Sequence, residues 1–180
     1  MATEHLTIVE IFLDTQFVND EAPVIVGWRE WVCLDALGLP DLRAKVDSGA
    51  KTSCLHAFKI TSFKKNGEKW VRFKVRPRKS MPKEVYTCEA KVHDRRLVKD
   101  SGGHVQRRYV IRARMYIGTW HQLIELTLTE RDNMNFVMLL GRAALAGSYV
   151  VDSASSFLLG RPDVRDADPR IQQKPYFIGL

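Results

Sequence analysis

The sequence predicts an all-β domain, a small closed barrel of short strands with one short helix. Apolar and polar residues alternate with a period of two in several short segments, and turn-forming Gly, Pro, Asn or Asp residues separate these segments. No long segment keeps a helical period. The chain has 180 residues, 45% apolar and 27% charged, which suits one globular domain. We expect that domain over residues 23–160, with an N-terminal extension (1–22) and a C-terminal tail (161–180).

In the first half of the domain, strands are predicted at 24–26, 30–34 and 42–47, with glycines at 27 and 38 as breaks. Residues 58–63 and 69–76 form a hairpin pattern around Asn66-Gly67, the strongest short-range hairpin signal. Another strand is expected at 85–93. Within 69–76 apolar residues alternate with basic ones, which predicts a core face and a basic solvent face.

In the second half, residues 95–106 are polar and highly charged, with Ser101-Gly102-Gly103-His104 at their centre, and no strand is predicted there. Strands are predicted at 109–117 and 122–129. The apolar run at 136–140 is typical of a strand buried on both faces, and residues 143–146 are helix-prone. Closing strands are expected at 149–152 and 156–159. The strand-like segment 6–13 would either swap between protomers or cover a sheet edge.

The formal net charge is +7, and much of the excess lies between residues 64 and 83, where Glu68 is the single acid. The strand-like alternation favours a solvated basic face over a nucleic-acid site, which would interleave stacking aromatics. Nucleic acid is therefore an unlikely partner. An anionic partner such as RNA, a ribosome or an acidic peptide is the alternative.

The sequence favours a cytoplasmic protein that does not enter a membrane. No apolar run is long enough to span a bilayer, and the N-terminus lacks a basic segment followed by a long apolar one. The three cysteines, Cys33, Cys54 and Cys88, cannot form a disulfide framework and fit a reducing compartment.

The most informative motif is Asp47-Ser48-Gly49-Ala50. Apolar and basic residues alternate over 42–46, as in a half-buried strand. Asp47 is therefore predicted to lie where this strand meets a tight turn. Asp-Ser/Thr-Gly-Ala is also the loop on which aspartic peptidases carry their carboxylate. Taken alone, the motif fits an ordinary turn better than a catalytic loop.

About ninety residues later the chain reads Leu139-Leu140-Gly141-Arg142. The pairing of this segment with the Asp47 loop resembles the retropepsins, single-lobe aspartic proteases that act as homodimers. The resemblance implies a retropepsin-like, acid-protease β-barrel. Gly141 would let its strand pass close behind the Asp47 loop, and buried Leu139 and Leu140 would lock the loop in place. Arg142 belongs to the same support.

The resemblance assigns catalysis to Asp47, Ser48 and Gly49. Two Asp47 carboxylates would meet across a twofold axis, share a proton and activate water. Ser48 would hydrogen-bond across the dimer, and Gly49 would accept substrate through its backbone. Ala50, Lys51 and a flap tip would contact substrate, the tip being Ser101, Gly102, Gly103 and His104. An ordinary mobile glycine loop is the alternative for the tip.

The sequence also departs from the retroviral pattern. Retroviral enzymes carry acids just after the Ala of the loop, and one of these acids pairs with the Arg of the Gly-Arg segment. Lys51 and Thr52 occupy those positions here. Arg142 therefore needs another partner, or the dimer closes differently.

A closer resemblance covers residues 27–160, through Gly27-Trp28-Arg29-Glu30, the Asp47 loop, Asp100-Ser101-Gly102-Gly103-His104 and 138–145. It is to a bacterial family labelled "ATP-dependent zinc protease", whose genes are associated with ATP-grasp glutamate ligases. No His-Glu-x-x-His is present, and the spacings of Cys54, His56, Cys88 and His93 match no common zinc module. We therefore expect no metal and no cofactor.

Two hypotheses from different classes follow. The first is a homodimeric aspartic endopeptidase acting on a peptide or protein. The alternative is a non-catalytic or weakly catalytic partner of an ATP-grasp glutamate ligase, which binds peptides or processes amides and whose basic cleft attracts glutamate-rich tails. Nucleophilic catalysis through Ser53 or Cys54 is disfavoured, since no His has a readable orienting carboxylate.

Overall fold

The computed structural model describes residues 22–78, 80–99, 102–130 and 135–164. The predicted strand at 6–13 lies outside them. The elements, in chain order, are β1 (Val24–Gly27), β2 (Arg29–Leu34), a 3-10 turn (Asp35–Leu37), β3 (Leu39–Asp47), β4 (Ser53–His56), β5 (Phe58–Lys65), β6 (Glu68–Val75), β7 (Tyr86–Lys91), β8 (Asp94–Lys99), β9 (Val105–Ile117), β10 (Trp120–Thr129), β11 (Met138–Gly141), α1 (Arg142–Leu145) and β12 (Tyr149–Asp152). Among the described residues, no helix is long and apolar enough to cross a bilayer.

The main sheet closes on itself. Its strand order is β10-β4-β11-β3-β2-β9-β8, and β9 also pairs with β10. Six strands therefore form a ring, and β8 extends outward from β9 as the second arm of a hairpin. Two smaller sheets flank the ring: the parallel pair β1–β12 and the antiparallel sheet β5-β6-β7. The predicted all-β barrel with one short helix is confirmed.

One continuous core fills the ring and extends beneath the three-stranded sheet. Every second residue of the barrel strands points inward, as the period of two requires. The three-stranded sheet adds Val71, Phe73 and Val75 to this core, whereas Arg72 between them is exposed. The predicted core face and basic solvent face of β6 are confirmed. Phe63, Trp70 and Phe58 on the outer side carry cations over their rings: Arg72, Lys65 and Arg76, respectively.

The structure differs from the sequence-based prediction at three segments. Residues 95–99 and 105–106, for which no strand was predicted, belong to β8 and to the start of β9, and β8 pairs with β9 in antiparallel register. Strand β4 was not predicted. The predicted strand at 156–159 is wrong, because Phe157 has a φ of 57° and the buried carboxylate of Glu30, instead of a neighbouring strand, accepts the Leu158 N–H at 2.9 Å.

Candidate active site

Asp47 ends β3, and its side chain is oriented by the turn that follows. Its Oδ1 accepts the backbone N–H groups of Gly49 (3.1 Å) and Ala50 (3.2 Å). Within the described part of the chain Oδ2 accepts no hydrogen bond. The residue is half-exposed, while Ser48 and Gly49 are exposed. One carboxylate oxygen is thus fixed by the loop, and the other is left for a partner from outside it.

Gly141 brings β11 against the back of this loop. It lies beside Asp47 in the parallel β3–β11 register. A Cβ on Gly141 would lie 2.6 Å from the carbonyl carbon of Thr52 and 2.8 Å from the nitrogen of Ser53. Its φ of −83° and ψ of 166° suit any residue, so the glycine is required for space. The expected close passage of β11 behind the loop is confirmed.

Ser53, at the start of β4, is hydrogen-bonded to both β11 and β10. Its Oγ accepts the Gly141 N–H at 3.0 Å, and its carbonyl accepts the Thr127 hydroxyl at 3.2 Å. Since Ser53 is only 1% exposed, it is placed for support and not for nucleophilic attack. Cys54, the next residue, is also buried. The sequence analysis named Ser53 only as a disfavoured nucleophile and missed its structural role.

Arg142 finds its partner in the Asp loop of its own chain. Its Nη1 donates to the Ser48 carbonyl at 3.0 Å. Its backbone N–H donates to the Ala50 carbonyl at 2.8 Å, and the Ala143 N–H donates to the Lys51 carbonyl at 2.9 Å. The start of α1 therefore binds three carbonyls of the loop, those of Ser48, Ala50 and Lys51, without any acid at position 51 or 52.

The two leucines of the support segment behave differently. Leu140 is fully buried in the core, as predicted. Leu139 is only half-buried, so the prediction that it is buried is wrong. In the registers of β11 it lies beside Lys45 on one side and Cys54 on the other. Neighbours across strands share a face of the sheet, as do residues two apart on one strand. Leu139 therefore shares a face with Lys45 and, through Lys45, with Asp47.

The predicted flap tip lies on the connection between β8 and β9. Gly102, Gly103 and His104 are exposed there, and Gly103 adopts a φ of 85° that favours glycine. Ser101 lies outside the described residues. A hairpin carrying this tip is therefore present, whereas its contact with substrate stays a prediction, as does that of exposed Lys51.

An ion cluster ties the base of this hairpin to the barrel. Glu125 on β10 binds Arg96 of β8 at 2.6 Å and His93 at 3.1 Å. Arg96 also pairs with Asp94. The hydrogen bond from Arg96 is the main cause that lowers the pKa of the Glu125 carboxyl below its ordinary value. The sequence analysis missed this cluster, because its members are far apart along the chain.

Trp28 is a second residue that the sequence analysis left without a role. Its carbonyl accepts the Val46 N–H at 2.9 Å, immediately before Asp47. Its ring meets the edge of Phe136, just before β11, with centroids 5.8 Å apart, and Arg29 lies over it at 4.5 Å. Trp28 therefore contacts β3 and the segment that leads into β11, the two strands that carry the candidate site.

The thiols and imidazoles considered for zinc do not converge in the described ranges. No group of three or more His, Cys, Asp or Glu residues in those ranges is arranged to hold a metal ion. Cys88 is buried beside the Leu37 carbonyl at 3.3 Å. Burial raises the pKa of the third cysteine, Cys33, to about 12.

Comparison with known proteins places this geometry in context. The profile of the RimB-like family, described as "Retropepsin-like aspartic endopeptidase RimB", matches residues 25–162. A crystal structure of a Legionella pneumophila protein of unknown function has a TM-score of 0.65 and 32% identity, covering 77% of this chain and 99% of that one.

Two curated relatives carry the name "Probable alpha-L-glutamate ligase". The protein from Shewanella halifaxensis is 46% identical over 137 residues, covering 76% of this chain and 30% of its own length. The protein from Desulfotalea psychrophila is 43% identical over 142 residues, covering 79% and 31%. The matched region thus spans less than a third of these longer relatives.

Proposed function

The chain belongs to the RimB-like family of retropepsin-like aspartic endopeptidases, and we propose that it hydrolyses peptide bonds as a homodimer with an active site made of two Asp47 carboxylates. The observation that carries this proposal is the presentation of Asp47. Its Oδ1 is held by two backbone N–H groups, while β11 and Arg142 support the loop from behind. Such fixed geometry is what a catalytic carboxylate needs.

In the proposed reaction one Asp47 is ionised and the other carries the shared proton, since two touching carboxylates do not both ionise cheaply. The ionised group takes a proton from water, whose oxygen attacks the peptide carbonyl carbon. The protonated group donates its proton to the carbonyl oxygen. Collapse of the tetrahedral intermediate breaks the C–N bond and returns a proton to the leaving amine. Ser48 hydrogen-bonds across the dimer to hold the loops, and Gly49 accepts substrate through its backbone.

The parallel pair β1–β12 supports the proposed dimer. Ile25 and Val150 lie side by side in its register and are 58% and 51% exposed; Val151 is exposed as well. A two-stranded sheet with an exposed apolar surface is marginal alone. A second copy of the chain would cover it. Each chain supplies one Asp47 carboxylate, and dimerisation would bring the second one that the proposed reaction needs.

A second candidate function is favoured by the names of the curated relatives. Because the matched region is one part of longer proteins named as glutamate ligases, the chain would work with an ATP-grasp glutamate ligase, by binding or trimming the acidic peptides that such a ligase makes. The net charge of +7 suits an acidic peptide. A cytoplasmic location follows as a prediction.

The decisive experiment compares Asp47→Asn with Asp163→Asn, a matched change in the C-terminal segment. Cleavage of glutamate-rich peptides is followed by mass spectrometry, and folding and dimerisation by circular dichroism and sedimentation velocity. We expect Asp47→Asn to lose cleavage while folding and associating normally, and Asp163→Asn to retain it. Cleavage by Asp47→Asn at the wild-type rate would sink the aspartic mechanism.

The dimer is tested separately with Val150→Glu. We expect a shift from dimer to monomer, with a parallel loss of cleavage, because each monomer has a single Asp47. Thr87→Glu, an exposed strand position on the three-stranded sheet, adds the same charge elsewhere and should leave association unchanged. A monomeric wild-type protein that cleaves peptides would contradict the shared active site.

A further inference from the structure

The segment that forms the β5-β6-β7 sheet carries the whole positive excess of the chain. Residues 58–91 contain eleven Lys or Arg and three Glu, a net charge of +8, whereas the full chain has a net charge of +7. The rest of the chain is therefore close to neutral, with a net charge of −1. A charge concentrated in one small sheet sets up a local positive field that attracts anions.

The acids of this sheet neutralise only part of that charge on its outer face, the face opposite the core. Glu89 pairs with Arg72 at 2.7 Å, and Glu68 pairs with Lys91. Three further cations of this face have no acidic partner among the described residues: Lys65, Lys74 and Arg76. The outer face therefore keeps a positive charge that its own sheet does not balance.

Three aromatic rings lie among these cations. Phe63 is directly opposite Trp70 in the β5–β6 register, and Phe58 is opposite Lys74. Lys74 follows Trp70 by four residues, so the rings spread over about 13 Å along the strand. All three rings are half-buried, and none belongs to the core or packs against it. The alternation within β6 hides this arrangement in the sequence, because two of the rings come from β5.

The outward side of each ring is covered by the end of a flexible basic side chain. Arg72 lies 5.2 Å from the Phe63 centroid, Lys65 lies 4.6 Å from that of Trp70, and Arg76 lies 5.2 Å from that of Phe58. An exposed cation–π contact is weaker than the stacking of a nucleic-acid base on an aromatic ring. A base can therefore take the place of the cation, and the displaced cation is then free to reach a phosphate.

We propose that the outer face of the β5-β6-β7 sheet binds single-stranded RNA. Unstacked bases lie on its three rings, and the phosphates pair with the cations beside them. A duplex does not fit this surface, because its bases are stacked on one another and cannot reach a ring. RNA commonly presents accessible single strands in loops, bulges and ends.

The combination of charge and rings separates RNA from other occupants. An acidic peptide matches the cations but has no flat base for the rings to stack on. A second copy of the chain brings the same positive face and is repelled. The strands of this sheet pair with neither β3 nor β11, so the proposal does not rest on the proposed peptidase function.

Fluorescence anisotropy tests the rings with labelled oligouridylate of about 12 nucleotides, a length within the range of single-strand sites. We expect Trp70→Leu and Phe63→Leu each to weaken binding by about 5- to 150-fold, the loss of one stacked base. Trp31→Leu is the matched control, because Trp31 carries Arg161 at 4.5 Å but lies on β2. It should bind as the wild-type protein does, and an equal loss in all three variants contradicts the proposal.

The salt dependence of binding tests the cations. Each phosphate contact to a single strand adds about 0.7 to the slope of log K against log salt concentration. Lys65→Gln/Lys74→Gln should therefore lower the slope by about 1.4. Arg43→Gln/Arg107→Gln removes two exposed charges from β3 and β9 and should leave the slope unchanged. The same slope in both double variants contradicts the proposal.

The wild-type protein alone is enough to overturn the proposal, whether or not the variants fold. We expect it to bind oligouridylate at least about tenfold more tightly than the duplex of oligouridylate with oligoadenylate, as stacking on open bases requires. Equal binding of strand and duplex, or no binding of the strand at low salt, overturns the proposal. An oligoglutamate of equal charge that displaces the RNA as well as unlabelled oligouridylate overturns it too, and tighter binding of oligothymidylate overturns the assignment to RNA. Asp47→Asn should bind RNA normally, so a failure of the peptidase proposal is told apart from a failure of this one.

Discussion

Replacing Gly141 by alanine tests whether the close contact between β11 and the Asp47 loop holds the candidate site together. The added Cβ would lie 2.6 Å from the carbonyl carbon of Thr52, whereas non-bonded carbons keep about 3.5–4.0 Å. The obstructing atoms belong to the backbone, so the loop or the strand must move by about 1 Å. Since the Gly141 backbone suits any residue, the whole cost is steric.

The expected magnitude follows from this overlap. Inserting a methyl group into a packed site costs about 1–3 kcal/mol. For a chain of 180 residues each kcal/mol lowers Tm by about 2–4 °C, so we expect a fall of about 2–12 °C. Displacing a catalytic group by about 1 Å lowers the rate by about 100-fold. Peptide cleavage should therefore fall far more than stability does.

The assay combines a thermal scan with peptide cleavage for Gly141→Ala and for Gly67→Ala. A Cβ on Gly67 meets no atom within 4 Å, but its φ is 79°, so strain alone costs about 1–2 kcal/mol. Gly67 lies at the tip of the β5–β6 hairpin, and cleavage should survive its replacement. An unchanged Tm and rate in Gly141→Ala, or an equal loss of cleavage in both variants, would refute the reasoning.

Three further perturbations test other contacts. Arg142→Met removes the hydrogen bond to the Ser48 carbonyl. We expect kcat/KM for peptides to fall by about tenfold, with a stability loss of about 1 kcal/mol or less. A normal kcat/KM would show that the loop does not need this hydrogen bond. Glu30→Ala removes the acceptor of the Gly27 and Leu158 N–H groups and of the more distant Leu159 N–H, and it should cost about 2–6 kcal/mol in urea unfolding. Glu30→Gln, which keeps an acceptor oxygen, should cost less; equal losses would contradict this. Arg96 lowers the pKa of Glu125 in the folded protein. The ionised Glu125 carboxylate therefore adds stability at pH values above its ordinary pKa of 4.5, and this stability is lost as the pH falls through the lowered pKa of the folded state. Arg96→Met should raise the Glu125 pKa, seen by NMR titration, and flatten the acid limb of the stability curve; an unchanged titration would exclude the contact as its cause.

Most barrel strands were predictable because a strand buried on one face must alternate. Residues 42–47 and 109–117 show that period, and both lie in strands of the ring. The hairpin at Asn66-Gly67 was equally predictable, since both turn residues adopt positive φ as a primed turn requires. Gly141 was predictable in role because close passage of two backbones excludes a side chain.

The remaining elements depend on partners that are distant in sequence. Residues 95–106 show no strand period in the sequence because the face that meets β10 carries Arg96 and Gln106 instead of apolar residues. Their partners, Glu125 and Thr129, lie far along the chain. The segment 156–159 has the opposite problem. Its apolar residues suggest a strand, but the Glu30 carboxylate binds its N–H groups and leaves no edge to pair. Neither contact has a local signal.

The support of the Asp47 loop has a consequence for biosynthesis. Ser48 and the arginine side chain that fastens it are 94 positions apart. A ribosome adding about 5–20 residues each second needs about 5–20 s to cover that distance. During this time the loop has been made, but the strand and helix that position it have not. In a nascent chain the carboxylate therefore stays unsupported until β11 and Arg142 have been made, late in the synthesis of the domain.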